Sequence, residues 1–144
     1  MIIWTATSCS KDGDTIYMPD PNDAKPDFSP LITVIYDPVG VGDLSYNDMI
    51  YKSVESTALK LGARTLQLQP YFAAEGELML DNTLAQLCEA TDTVKRLLIV
   101  TGEVYDEYIR KNNHRLEKNP NSDLLYIETN IPLEGKGSTF FIDY

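Results

Sequence analysis

At 144 residues, 43% hydrophobic and 24% charged, the chain has the length and composition of one ordinary globular domain. Its formal net charge of −10 opposes contact with phosphate backbones and anionic head groups, which argues against a nucleic-acid partner and a polybasic membrane role. No apolar run approaches the roughly eighteen residues of a membrane-spanning helix, and Cys9 and Cys88 have no thiol or histidine near them at metal-ligand spacing, so neither a zinc site nor a disulfide framework is indicated.

The first nine residues, MIIWTATSC, place the small residues Ala6, Thr7 and Ser8 directly before a cysteine, as at the end of a bacterial lipoprotein signal. A complete signal has a basic start and a longer apolar region. The expectation is therefore a truncated signal over 1–9, with Cys9 as the lipidated, mature N-terminus on an exported protein held at the periplasmic face or outer surface of a bacterial membrane. The run Cys9-Ser10-Lys11-Asp12-Gly13-Asp14 also resembles the acidic motif that follows the cysteine in some surface-displayed Bacteroidetes lipoproteins; simple solvation explains it equally. Residues 10–30 mix Asp12, Asp14, Asp20, Asp23 and Asp27 with Pro19, Pro21, Pro26 and Pro30 and have almost no apolar periodicity. Such a stretch cannot offset its own ordering entropy, so it reads as a flexible acidic, proline-rich tether.

From 31 to 144, short apolar runs alternate with helical patterns: LITVIY, a helix, RTLQL, a helix, RLLIV, a helix, then DLLYI and STFFI. That rhythm predicts an α/β domain with a parallel sheet covered on both faces. In the first helix Ser45 and Asp48 have capping-box spacing, Ile50, Val54, Ala58 and Leu61 form one stripe, and Gly62 is the stop. In the second, Leu80, Leu84, Leu87 and Cys88 share a face, which makes Cys88 a packed residue rather than a reactive thiol. The third, over 103–116, buries Tyr105, Tyr108, Ile109 and Leu116, turns His114 to solvent and is closed by Asn119-Pro120.

Right-handed crossovers and short connections make a doubly wound, Rossmann-like sheet of order 2-1-3-4-5 the simplest topology, and ligands of such sheets sit where the order reverses. The loop 37–44 after the first strand and Thr101-Gly102-Glu103 after the third must meet there. The first brings Asp37, Gly40, Gly42 and Asp43 to a helix start, so that backbone donors and fixed acceptors come close to a polar solute. Asp43 serves equally as a cap for that helix. Tyr46 and Asn47 stand in the first helical turn, where a ring could stack on a base and an amide could bond its edge.

Catalytic patterns are not in evidence. The loop lacks the third glycine of G-x-G-x-x-G and the ending of a P-loop, and there is no G-x-S-x-G elbow. A phosphoacceptor domain needs an acidic residue after the third strand, where this chain has Thr101-Gly102. Binding without catalysis or cofactor is the expectation, and a flavodoxin-like small enzyme is the remoter alternative.

The run VIYDPVGVGDLSYND, followed by a helix ending in Leu61-Gly62, is similar to the opening of the basic membrane protein family, the PnrA-like substrate-binding lipoproteins of nucleoside ABC transporters. The matching positions are Tyr36, Asp37, Gly40, Val41, Asp43, Ser45 and Asn47, with Tyr46 in place of phenylalanine. Gly42 replaces the family's usual asparagine, and Thr-Gly-Glu-Val-Tyr stands where Gly-x-Gly-Phe is common. The resemblance implies a type I periplasmic-binding fold, a purine nucleoside or similar small solute held between two lobes, an ABC permease as partner, and Asp43, Tyr46 and Asn47 near the solute. It also implies a second lobe beyond this chain. A surface or signalling module of the same fold, binding another ligand or a protein, is the competing reading.

Overall fold

The computed structural model describes residues 27–42, 46–129 and 131–140. The expected leader with Cys9 and most of the expected tether lie outside the described residues, as do Asp43, Leu44 and Ser45.

Five strands, β1 (Leu31–Ile35), β2 (Arg64–Leu68), β3 (Arg96–Thr101), β4 (Ser122–Ile127) and β5 (Ser138–Phe140), form one sheet in the order β2-β1-β3-β4-β5. All four pairings are parallel, so the expected 2-1-3-4-5 arrangement is present. The period of two along each strand divides the core. Ile35, Leu98, Val100, Leu124 and Tyr126 face one side, where they pack on Leu80, Leu84 and Leu87 of α2 (Ala73–Glu89) and on Tyr105, Ile109 and Leu116. Ile32, Val34, Tyr36 and Ile99 face the other side and meet Val54 and Ala58 of α1 (Tyr46–Leu61).

Gly62 ends α1 as its position predicts. At φ +62 its N–H donates to the carbonyl of Leu59, and the next N–H, of Ala63, reaches back to that of Ala58 at 2.9 Å. This is the paired-bond helix stop that a left-handed residue makes possible. Leu61 of the predicted stripe is exposed, at the rim of a hollow that it shares with Leu31 and Leu97 of the sheet. Ser45, the other half of the expected capping pair, lies outside the described residues; the Asp48 carboxylate accepts from the Gly42 N–H at 2.7 Å.

The third helix is not continuous. A 3-10 turn, Glu103–Tyr105, leads into α3 (Asp106–Asn112), and a second 3-10 segment, Asn113–Lys118, completes it. Asparagine competes for backbone groups and weakens helices. Here Asn112 Nδ2 donates to the Tyr108 carbonyl at 2.9 Å, while buried Asn113 Nδ2 donates to the Glu134 carbonyl at 2.7 Å and ties the segment to the loop before β5. The anticipated burial of Tyr105, Ile109 and Leu116 survives this rephasing, Tyr108 is half-buried, and His114 is exposed. Cys88 is half-buried, and its thiol donates to the Arg115 carbonyl at 2.9 Å.

Candidate functional site

The reversal of strand order lies between β1 and β3, and the residues at their C-terminal ends form one hydrogen-bonded unit. The N–H of Asp37 donates to Thr101 Oγ1 at 3.0 Å, which joins the two strand ends. Asp37 Oδ1 then accepts from the Gly40 N–H at 3.1 Å and from Asn47 Nδ2 at 3.0 Å, so its carboxylate fixes both the turn and the first turn of α1.

Asn47 and Thr101 are both fully buried. Besides its bond to Asp37, Asn47 Nδ2 donates to the Gly40 carbonyl at 3.1 Å, and Asn47 Oδ1 accepts from the Thr101 hydroxyl at 3.2 Å. Every polar atom of the Asn47 side chain is thus engaged inside the protein. Asn47 and Thr101 hold the acidic side chain in place, while the half-buried residues of the unit, Asp37 and Tyr46, are those open to solvent.

Tyr46 donates from its hydroxyl to Asp37 Oδ2 at 3.0 Å. Burial pushes its phenol well above the ordinary value, and the Glu128 and Asp37 carboxylates that share hydrogen bonds with it push in the same direction. Glu128, just past β4, has φ +58, a left-handed conformation unusual for a residue with a side chain. Such a residue carries about 1–3 kcal/mol of strain, and its backbone is held by a bond from its N–H to the Phe140 carbonyl at 2.8 Å.

The glycines serve approach rather than contact. At Gly102, φ +93, an added Cβ would lie 2.6 Å from the Cβ of Asp37, so only glycine lets the β3 end pass this close to the carboxylate. Its carbonyl accepts from the Tyr105 N–H at 3.3 Å and lies 3.0 Å from the Tyr126 hydroxyl. Gly40 is buried beneath the Gln69 amide, Gly42 is exposed, and Glu103 is exposed at the start of its 3-10 turn. Asp43 lies outside the described residues.

Four residues around the site were not legible in the sequence. Glu128 and Gln69 lie in connections without a recognisable pattern. Tyr71 and Phe72, 88% and 61% exposed, form an apolar pair on the loop after β2, at the same edge of the sheet. That loop's Gln-Pro-Tyr-Phe composition, with two large aromatics in a turn, was the available signal. Among the described residues no group of three His, Cys, Asp or Glu side chains could hold a metal ion. The site offers oriented acceptors, a phenol and nearby aromatic surface, which together suit recognition of a polar solute that brings hydrogen-bond donors.

The fold is a doubly wound α/β sheet. It is similar to ABC transporter system solute-binding proteins from Aeropyrum pernix K1, with 21% identity and a TM-score of 0.58 over 80% of this chain and 28% of that one. It is similar also to a putative lipoprotein from Peptoclostridium difficile 630 (fragment), with 13% identity and a TM-score of 0.58 over 77% of this chain and 84% of that one. The chain thus spans well under a third of the length of the solute-binding protein. The sequence matches no protein-family model and no curated protein. Among the described residues no helix is long and apolar enough to cross a membrane.

Proposed function

We propose that this chain is one lobe of an exported, lipid-anchored solute-binding protein that captures a purine-nucleoside-like solute reversibly and passes it to an ABC permease. The observation that carries the reading is the Asp37-centred unit at the strand reversal, where an oriented carboxylate and the Tyr46 phenol stand at the edge on which ligands of this fold bind. The similarity of VIYDPVGVGDLSYND to the basic membrane protein family supplies the nucleoside class.

In this reading Asp37 and Tyr46, with Asp43 and Glu103, face the solute, and Gly40, Gly42, Asn47, Thr101 and Gly102 keep them in position. A second lobe closes over the solute, Cys9 carries the lipid, and no covalent step occurs. Calorimetric titration of inosine, guanosine and adenosine into the full-length protein tests it: saturable heat from one of them is expected, and no heat and no change in thermal stability from any of them would remove the nucleoside assignment.

The exposed Tyr71–Phe72 pair favours a second reading, a surface module that uses this edge to bind another ligand or a protein. A permease and an ATPase encoded beside the gene would speak for uptake, and their absence would speak for this alternative.

A further inference from the structure

The Asp37-centred unit stands at the carboxyl edge of the sheet. The opposite, amino edge holds another concavity, which shares no residue with that unit. It is a hollow of about 320 Å³ between the starts of β1, β3 and β4, at the small end of the range for ligand sites. The backbone around it is closed on itself: the Leu31 N–H donates to the Lys95 carbonyl at 2.9 Å, the Arg64 N–H to the Pro30 carbonyl at 2.8 Å and the Arg96 N–H to the Asn121 carbonyl at 2.8 Å. With those polar groups engaged, the apolar wall is left to Leu31, Leu61, Ala63 and Leu97, and Leu61 stands exposed at the rim.

The charges around the hollow are unequal. Lys95, Arg96, Lys136 and Asp123 line it. Arg96 bonds Asp92 through both terminal nitrogens, at 2.7 and 2.8 Å, so its guanidinium fork is occupied. Lys95 Nζ donates to Asn121 Oδ1 at 2.7 Å, and Lys136 Nζ donates to the Asn119 carbonyl at 2.6 Å. Neutral acceptors thus gather both ammonium groups on one corner, Asn119-Pro120-Asn121, and neither group has a carboxylate at ion-pair distance among the described residues. An ammonium carries three donors, so each keeps others for a ligand. Set against Asp92 and Asp123, the three cations leave one positive charge, a local exception in a chain of net charge −10. Two point-charge donors and a single excess charge suit one carboxylate.

We propose that this hollow is a further binding site, for a small amphipathic monocarboxylate. The carboxylate lies at the Lys95 and Lys136 ammonium groups, and an apolar body of about six to ten heavy atoms rests against Leu61, Ala63 and Leu97. Burial of that body supplies the affinity, and the two charge-assisted hydrogen bonds select the sign of the ligand. The site goes beyond solute capture at the carboxyl edge and stands whether or not that reading holds. Ile32 and Leu97 also border an apolar groove beside α1 that extends to Tyr46, so the test must locate the ligand as well as detect it.

The test is titration of the full-length protein with hexanoate, followed by nuclear magnetic resonance of its methyl groups. Saturable shifts are expected at Leu31, Leu61, Ala63 and Leu97, with Ile127 and the Tyr46 ring unmoved. Hexanol, acetate and hexylamine should each bind at least about fivefold more weakly, since each lacks the charge or the apolar body. Lys95→Gln with Lys136→Gln should bring hexanoate down to the affinity of hexanol. Leu61→Ser, at an exposed position, should weaken hexanoate about three- to tenfold. The site is overturned if hexanoate gives no saturable shift, if the shifts centre on Ile99 and Ile127, or if any of the three controls binds as tightly. It is also overturned if the double glutamine variant keeps the preference for hexanoate or the serine variant binds it unchanged.

Discussion

Asn47 donates to Asp37 Oδ1 at 3.0 Å from a fully buried position in the first turn of α1. The carboxylate at the strand reversal is therefore aimed by a neighbour that does not itself face solvent. Asn47→Ala would leave the Gly40 carbonyl, the Thr101 hydroxyl and one lone pair of Asp37 short of partners. A loss of about 2–3 kcal/mol is expected from the penalty for buried groups left unpaired, read as a lower urea midpoint. Asn47→Asp, which sets a second carboxylate against the first, should cost more. An unchanged midpoint in both variants would mean that the bonds contribute nothing to the fold.

The phenol of Tyr46 should separate ring from hydroxyl in solute binding. With whichever nucleoside gives saturable heat, Tyr46→Phe is expected to weaken binding roughly five- to tenfold, the worth of one hydrogen bond of about 1 kcal/mol. Tyr46→Ala removes the stacking surface as well and should weaken it further. Equal affinity in all three proteins would place the solute away from this residue.

Gly76 of α2 lets Tyr105 reach across to β1. An added Cβ there would collide with the Tyr105 ring and hydroxyl, and that hydroxyl donates to the Tyr36 carbonyl at 2.9 Å. Gly76→Ala should destabilise by about 1–3 kcal/mol through overpacking. Tyr105→Phe removes the nearest clashing atom, so the double variant should be more stable than the sum of the single losses implies. Strict additivity in denaturant unfolding would show that the two residues do not oppose one another.

Alkaline pH should unfold the domain through its tyrosines. Burial raises the phenols of Tyr36, Tyr46, Tyr105, Tyr108 and Tyr126, with Tyr36 and Tyr108 each pushed up to about 12. A raised value in the folded state means that the stabilisation is complete below the ordinary value near 10 and is lost as the pH climbs from there through about 12. Phenolate absorbance from these five residues is expected to appear together with loss of far-ultraviolet circular dichroism. Its complete appearance while the dichroism stays native would contradict the burial argument.

What the sequence made readable was whatever repeats or terminates. The strand order follows from alternating apolar runs with short connections, and the end of α1 follows from one glycine. The continuity of the third helix was not readable, because Asn112 and Asn113 look like ordinary surface positions until their tertiary carbonyl partners are known. The site shows the same division. The meeting of Asp37 with Thr101 follows from topology, but Asn47 as internal brace does not, since its spacing suits a solvent-facing amide equally well. Glu128 arrives from a third strand end in a conformation that no pattern announces.

The position of β1 also bears on how the molecule comes into being. Leu31 is paired on one side with Arg64 and on the other with Arg96, 33 and 65 residues further along the chain. β1 therefore leaves the ribosome before both of its partners and waits for them before either of its edges is satisfied. Contacts of this span are slow to form, because a long loop must close before they stabilise anything. Until β3 has been synthesised the nascent chain can have no central sheet, and for that interval it is a threadable polypeptide rather than a folded body.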